Sequence, residues 1–200
     1  MSQSLVAAFI VFGAVMAFTP GPNNIMVLSS GLTYGFRRSL PHISGVAIGV
    51  SLMVASVGLG LGTIFLAYPV LQTILKYAGI VYLIYLAAII AMSGSVTPGE
   101  SNRGGPMTFW AAVLFQWVNV KGWVMAIGII TAYSAVASFP WNIAVQAALM
   151  FIMAALSSLT WALFGSSLRS FLTSPVAVRV FNVLMAILLL ASLYPVLMDA

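Results

Sequence analysis

The sequence has 200 residues, of which 62% are hydrophobic and 4% charged, with a mean hydropathy of +1.15 and a formal net charge of +5. So few charged side chains cannot cover a water-soluble fold, so the composition excludes that class and indicates an integral membrane protein in a lipid bilayer. The absence of cysteine excludes disulfides and thiolate catalysis. The basic residues are scattered at segment ends, where they set orientation, which gives no support for nucleic-acid binding.

The first apolar segment runs from about Ser4 to Thr33 and is interrupted by Thr19-Pro20-Gly21-Pro22. Two prolines remove two N–H donors and break a helix. Because freed backbone groups are costly in lipid, such a break usually lines a cavity. The amino terminus has no basic region and no evident cleavage site, so we predict that this segment is retained and is not a signal peptide.

Five further apolar segments follow, which gives six predicted spans of about 20 residues each. Pro41 suits the first position of the second helix. Asn119-Val120-Lys121-Gly122 interrupts the fourth segment. The predicted segments are 41–67, 70–92, 106–136 with helix from 109 to 117, 142–165 followed by a loop at 166–175, and 176–197.

The polar stretch 93–105 lies at the midpoint and divides the chain into two repeats, 4–92 and 106–197. Each repeat opens with an interrupted span, at 19–24 and at 119–122, and three spans per repeat force opposite orientations. Matching interruptions indicate an inverted-repeat transporter, although their coincidence by chance is the alternative. We therefore predict an all-α integral membrane protein with one transmembrane transporter domain over 1–200. Its six transmembrane helices form two three-helix inverted repeats, with broken first and fourth helices.

The basic residues predict the orientation of the chain. The loops after the first, third and fifth segments share one side, whereas the opposite side has only Lys76. By the positive-inside rule the arginine-rich side is cytoplasmic, so both termini face outward. The arginines on that side are Arg37, Arg38, Arg103, Arg169 and Arg179.

Lys121 is the most informative single residue, because it lies near the middle of its predicted span. A lysine at that depth is costly and is usually functional. The chain has two acids, Glu100 in the midpoint stretch and Asp199 at the carboxyl end, and neither is expected to reach it. We predict that its partner is the carboxylate of a small zwitterionic substrate. The alternative is a lysine that extends to the membrane interface.

The first interruption offers complementary helix ends. Free N–H groups at Asn23 and Asn24 can bind a carboxylate, and the carbonyls of Phe18 and Thr19 can accept an ammonium. Helix capping is the alternative for either asparagine. Gln116 and Asn119 either face substrate or bond across helices. The predicted substrate-binding residues are Thr19, Pro20, Gly21, Pro22, Asn23, Asn24, Gln116, Asn119 and Lys121.

His42 is the single histidine and is predicted to be interfacial, although it could titrate near neutral pH. One histidine without cysteines predicts no metal site, and we expect no cofactor and no catalytic residue. An intramembrane enzyme is one alternative function, but no nucleophile–base motif supports it. A channel or structural membrane subunit is another, although neither would need a lysine between repeats.

Several motifs in order resemble the lysine/homoserine-type (LysE/RhtB-type) amino-acid exporter family. They are Thr19-Pro20-Gly21-Pro22-Asn23-Asn24, Gly35-Phe36-Arg37, Gly45-x-x-x-Gly49 and Asn119-Val120-Lys121. The two asparagines after the prolines, and the Asn-Val-Lys run, are similar to the cysteine/O-acetylserine exporter branch. Val120 stands where many relatives have proline, which leaves open how sharply the fourth helix is broken.

The resemblance implies efflux of small amino acids or their derivatives across a bacterial inner membrane, driven by the proton gradient or by exchange. The expected mechanism is alternating access, with the repeats rocking around a midplane site. A dibasic cargo would bring a second positive charge beside Lys121, so electrostatics favours a neutral zwitterion. The glycines at 45 and 49 predict close helix contact, within one chain or in a homodimer.

Overall fold

The computed structural model describes residues 3–93, 105–172, 174–194 and 197. Every regular element within these ranges is helical, which confirms the all-α prediction. The α-helices are α1 (Gln3–Phe18), α2 (Pro22–Tyr34), α3 (Phe36–Ser56), α4 (Gly62–Ala67), α5 (Pro69–Met92), α6 (Phe109–Val118), α7 (Val120–Ala132), α8 (Trp141–Phe171) and α9 (Pro175–Ala191). A π-helical turn, Val57–Leu61, joins α3 to α4, and a short 3₁₀ turn, Ser134–Val136, follows α7.

Both predicted helix breaks are present. The axes of α1 and α2 differ by 54°, and Pro22 takes the first position of α2, where its missing N–H costs nothing. The axes of α6 and α7 differ by 71° at Asn119, whose backbone is extended. The second break is therefore sharp, although valine stands at position 120.

Three helical runs within the described ranges are long and apolar enough to cross a membrane singly. They are Phe36–Ile64, Val70–Met92 and Trp141–Phe171. Each bent pair can supply one more span, which gives up to five, and α9 is a shorter apolar helix. The helices are thus those of a membrane protein.

Two predicted boundaries are wrong. Helix α3 begins at Phe36, so Pro41 lies inside the helix, where it leaves one carbonyl of the first turns without its helical donor. The turn before α3 consists of Gly35 alone, whose φ of 83° suits glycine and few other residues. The loop predicted at 166–175 is helical to Phe171, because polar residues mark departure from hydrocarbon without ending a helix. The predicted linker, with Glu100 and Arg103, lies largely outside the described residues, and so does Asp199.

The second predicted segment reaches position 67 as a bent run rather than as one straight helix. Gly60, in the π-helical turn, has a φ of 116° and creates the bend between α3 and α4. A side chain there would be strained in this backbone region, so the glycine permits the change of direction. The helix continues beyond the bend because the flanking residues remain apolar.

Arg37 and Arg38 at the start of α3 lie at the same end of the helices as Arg169. A Cβ added at Gly35 would lie 3.3 Å from Nη1 of Arg169, which ends α8. Arg179 lies in the second turn of α9, just after α8 ends. We call this the arginine end.

Helices α2 and α8 pack backbone to backbone toward the arginine end. A Cβ at Gly31 would collide with the carbonyl oxygen of Ala162, and a Cβ at Gly165 would collide with that of Leu28. Reciprocal glycines of this kind bring two helices closer than any larger residue allows. Most of α2 is buried as a result.

Helices α3 and α6 pack equally closely. A Cβ at Gly45 would meet the carbonyl oxygen of Phe109, and one at Gly49 would lie 2.7 Å from Cγ of Gln116. The close contact predicted for these two glycines therefore forms within one chain.

Side chains rather than backbones mediate the contacts at the opposite end. The phenol of Tyr133, after α7, packs edge-on against Phe9 with ring centroids 5.3 Å apart. Gly13 of α1 faces the sulfur atoms of Met150 and Met153, which are flexible. The two ends of the molecule are thus closed by different kinds of packing.

Candidate functional site

The two helix breaks meet. Lys121, in the first turn of α7, donates a hydrogen bond from Nζ to the carbonyl oxygen of Thr19 over 2.8 Å. Gly21 makes this approach possible, because a Cβ there would lie only 3.0 Å from both Cδ and Nζ of the lysine. The ammonium therefore occupies the carbonyl end of α1, where the helix dipole favours positive charge.

Side chains also donate to the carbonyl of Ala17 near the end of α1 and give Thr19 a second donor. Asn24 donates from Nδ2 to the carbonyl oxygens of Ala17 and Thr19, over 2.8 and 2.9 Å. The hydroxyl of Ser157, on α8, donates to Ala17 over 2.7 Å. Asn24 is 5% exposed, so its own amide is satisfied by these carbonyls and not by bulk water. These side-chain hydrogen bonds stabilise the backbone at the break between α1 and α2.

Asn23 and Gln116 join the two breaks through a reciprocal amide pair. Nδ2 of Asn23 donates to Oε1 of Gln116 over 2.9 Å, and Nε2 of Gln116 donates back to Oδ1 over 3.0 Å. Asn119 lies near the same Oε1, with its Nδ2 at 3.5 Å. Of the two interpretations left open for Gln116, cross-helix bonding is what the structure contains.

The start of α2 retains free donor capacity in its backbone. Its first helical hydrogen bond runs from the amide of Ile25 to the carbonyl oxygen of Gly21 over 3.0 Å. The amides of Asn23 and Asn24 precede that bond and have no acceptor within the helix. An anion is stabilised at such a helix start.

Two cavities adjoin the Lys121–Thr19 bond, and Gly21, Pro22, Asn119 and Lys121 line both of them. The smaller, of about 40 Å³, faces α3 and α8, and its polar lining includes Asn23, Asn24, Ser157 and Ser158. The larger, of about 410 Å³, faces α5 and α9 and is mainly apolar, with Ile80, Leu83, Val124 and Leu193. Small-molecule sites usually measure about 300–1,000 Å³. The larger cavity falls in that range.

All nine predicted site residues lie at or beside the junction of the breaks. Thr19 and Pro20 are exposed, Asn23 and Lys121 are partly buried, and the other five are buried. Sequence reasoning missed Ser157 and Ser158. Two adjacent serines in an otherwise apolar helix of 31 residues were the signal that could have identified them.

Charge at the junction is entirely positive. Lys121 is the one ionisable group that lines either of the two cavities. Both acids of the chain fall outside the described ranges, so no carboxylate within those ranges faces the ammonium. The described residues also contain no group of three histidine or acidic side chains that could hold a metal ion. The one ionisable group at this junction within the described residues is therefore a cation.

His42, which the sequence predicted to be interfacial, is only 2% exposed. Helix α3 begins six residues before His42, so this residue lies within the helix and not at its start. It lies apart from the breaks, beside a third cavity toward the arginine end.

The chain matches known proteins over most of its length. The sequence model of the LysE type translocator family matches residues 14–192. The cysteine/O-acetylserine efflux proteins of Escherichia coli K12, O157:H7 and O6:H1 strain CFT073 are each 37% identical to this chain over 124 residues. Each alignment covers 60% of this chain and 61% of the relative, so the chain spans about three fifths of the curated relatives that it matches. No solved structure matches.

Proposed function

The chain belongs to the LysE type translocator family, and from that membership we propose that it exports small neutral amino acids or their derivatives by alternating access. The E. coli relatives are named for efflux of cysteine and O-acetylserine, which are compact zwitterions. We assign the same substrate class to this chain. Its membrane is the bacterial inner membrane, with the arginine end in the cytoplasm and both termini outside.

The observation that carries the proposal is the bond between Lys121 Nζ and Thr19 O across the two breaks. A substrate carboxylate attracts the ammonium more strongly than a neutral carbonyl does, because it carries a full negative charge whereas the carbonyl oxygen carries only a partial one. When the carboxylate takes Lys121, the carbonyl of Thr19 becomes free. The substrate ammonium then replaces the lysine at that carbonyl.

This exchange of partners explains why the cargo is a neutral zwitterion. Its two charges match one cation and one carbonyl helix end, and binding adds no net charge to the site. A dibasic cargo adds a positive charge beside Lys121, and the described residues contain no acidic side chain that could neutralise it. The larger cavity, beside Thr19 and Lys121, offers apolar walls for a short side chain.

The packing at the two ends supports alternating access. Glycines lock α2 to α8 and α3 to α6 toward the arginine end, whereas flexible or aromatic side chains close the other end. Side-chain contacts separate with less rearrangement than interlocked backbones. This difference supports a cycle in which the arginine end is closed while the opposite end separates more readily.

We further propose that α9 is the sixth span and that the two halves are inverted repeats. Each half consists of a bent pair followed by two longer elements: α1–α2, α3–α4 and α5 in the first, and α6–α7, α8 and α9 in the second. With three spans per half, the second half runs in the opposite sense. The two bent pairs then meet near mid-membrane, as in other transporters built from inverted repeats.

Transport by purified protein in proteoliposomes tests the proposal. A panel of cysteine, O-acetylserine, serine, lysine and arginine is presented with and without a pH gradient. We expect saturable transport of the neutral members only. Stimulation by the gradient indicates proton coupling, whereas trans-stimulation without a gradient indicates exchange. Non-saturable flux of all five compounds would instead identify a pore.

Replacement of Lys121 by Met provides the matched test of the site. Loss of a charge-assisted bond worth about 1.5–3 kcal/mol should weaken substrate binding by about ten- to hundredfold. Lys76→Met is the control, because it removes the other lysine of the chain, which does not line either cavity. Wild-type transport by Lys121→Met would refute this substrate site.

A further inference from the structure

A third cavity, of about 70 Å³, lies between the helix breaks and the arginine end. Helices α2, α3 and α5 provide most of its walls. Its polar side chains are Ser29, Ser30, Thr33, Tyr34, His42 and Ser93. We call it the histidine chamber.

His42 is the unusual member of the histidine chamber. It is 2% exposed, yet neither ring nitrogen has a hydrogen-bond partner. Buried polar groups are nearly always bonded, so an unbonded imidazole requires an explanation. Residues of its own helix, Pro41 included, form no hydrogen bond with the ring.

The polar groups around His42 bond to one another instead. Ser30 and Ser39 share a hydroxyl–hydroxyl bond of 2.8 Å. Asn182, on α9, donates to the carbonyl oxygen of Ser93 over 2.9 Å and lies 3.3 Å from the hydroxyl of Ser29. This network is satisfied without the histidine, so it does not fix the imidazole in one protonation state.

The charged groups near the histidine chamber are all cationic within the described ranges. On its own helix they are Arg37 and Arg38, and α8 contributes Arg169 and α9 Arg179 at the same end. From α2 the chamber receives the phenol of Tyr34, and its lining residues from α5 and from the segment before α6 include no ionisable group. Glu100 and Arg103 lie outside the described residues.

We propose that His42 is a proton-binding site whose occupancy is tied to opening of the arginine end. With that end closed, a protonated imidazole would be dehydrated, so the neutral form is held. Opening admits water, which stabilises the cation. Because imidazole is the side chain whose unperturbed pKa lies nearest neutral pH, physiological acidification is sufficient to load it.

The helices around His42 are those that close the arginine end. Helix α3 carries His42 and also Gly45, which locks against α6. Helix α2 carries Ser30 and also Gly31, which locks against α8. Hydration of the histidine chamber therefore requires these contacts to loosen. Conversely, binding of a proton favours the loosened state, because linkage is reciprocal.

The direction of the pH effect follows from this linkage. The closed state binds fewer protons at His42 than the open state, so acid on the arginine side raises the open population. One proton site can shift that equilibrium by at most about tenfold per pH unit. Acid on the other side has no such effect, since the histidine chamber opens toward the arginine end. The inference rests on the proposed alternating access.

Cysteine labelling tests the inference without measuring transport. The chain has no cysteine, so Ser30→Cys places a single thiol in the histidine chamber, and Ser167→Cys places one on the exposed surface of the arginine end. Labelling by a small maleimide is compared at pH 6 and pH 8, and the surface thiol corrects for thiol ionisation. We expect the corrected rate at Ser30→Cys to rise between about twofold and tenfold per unit of acidification.

The same measurement in a His42→Gln background should lose this pH dependence, and His42→Asn provides a second background. Equal corrected labelling rates at pH 6 and pH 8 in the Ser30→Cys protein that retains His42 would overturn the inference. An unchanged pH dependence in the His42→Gln and His42→Asn backgrounds would also overturn it. These outcomes concern the histidine chamber alone. Failure of the proposed export function would appear separately, in the substrate panel.

Discussion

The ammonium of Lys121 lies 2.8 Å from the carbonyl oxygen of Thr19. The second helix break therefore supplies the cation that binds the backbone carbonyl at the first break. Each break thereby provides what the other lacks. A helix end that has lost its hydrogen bonds in an apolar environment needs a donor, and a buried lysine needs an acceptor. The first consequences to test concern the residues that keep these two atoms in contact.

Gly21→Ala should displace Lys121 and weaken substrate binding. The new Cβ would lie 3.0 Å from Cδ and Nζ of the lysine, so the side chain must shift by a few tenths of an ångström. We expect KM to rise several-fold while thermal stability changes little, because the lysine is flexible. Gly128→Ala on α7 is the control, since its Cβ would have an ordinary contact of 3.7 Å with Phe12. An unchanged KM would show that the position of Lys121 does not limit binding.

Gly165→Ala should destabilise the protein strongly. Its Cβ would collide with the backbone of Leu28, which cannot move without separating α2 from α8. Overpacking of this kind costs about 1–3 kcal/mol, so the unfolding temperature in detergent should fall by several degrees. Gly13→Ala is the matched comparison, because its Cβ would meet the flexible sulfur atoms of Met150 and Met153. Equal falls in unfolding temperature in the two variants would contradict the inferred difference in packing between the two ends of the molecule.

Asn24→Leu should cost more stability than Ser157→Ala. The asparagine satisfies the carbonyls of Ala17 and Thr19, whereas the serine bonds to Ala17 alone among backbone carbonyls. Because Ala17 keeps Ser157 and Thr19 keeps Lys121 as donors, the loss is that of two hydrogen bonds, about 0.5–1.5 kcal/mol each. Thermal unfolding of the two variants in one detergent measures the difference. A larger loss for Ser157→Ala would mean that Asn24 does not support the end of α1.

The reciprocal pair of Asn23 and Gln116 should be energetically coupled. A double-mutant cycle with Asn23→Ala and Gln116→Ala should give an interaction energy of about 0.5–3 kcal/mol in unfolding stability. The control cycle joins Asn23→Ala with Gln146→Ala, because Gln146 bonds elsewhere, to the carbonyl oxygen of Tyr133. Additive losses in the first cycle would exclude the pair as a contact between the two breaks.

The sequence predicted the breaks because their causes are local. Pro20 and Pro22 cannot continue a helix, and the polar run from Asn119 to Gly122 interrupts an apolar span. Nothing local, however, identifies Thr19 O as the partner of Lys121, because a backbone carbonyl leaves no mark in the sequence. The junction could therefore be located in advance, whereas its internal bonding could not.

The burial of His42 and the contact of Ser157 with the end of α1 were not predicted, for a different reason. The burial of His42 depends on where α3 begins, and Pro41 suggested a start five residues too late. Ser157 became significant only when α8 was seen beside the end of α1, a contact 140 residues apart in sequence. Tertiary neighbours of this kind have no periodic signal.

The amide pair between Asn23 and Gln116 also bears on how the membrane voltage acts on the molecule. Neither side chain carries a formal charge, so the movement of this contact itself displaces no net charge through the electric field. The field does work of about 2.3 kcal/mol on each elementary charge moved across 100 mV. Because the proposed cargo has no net charge, electrical work at the junction of the two breaks is then performed on Lys121, and the pair of Asn23 and Gln116 contributes none.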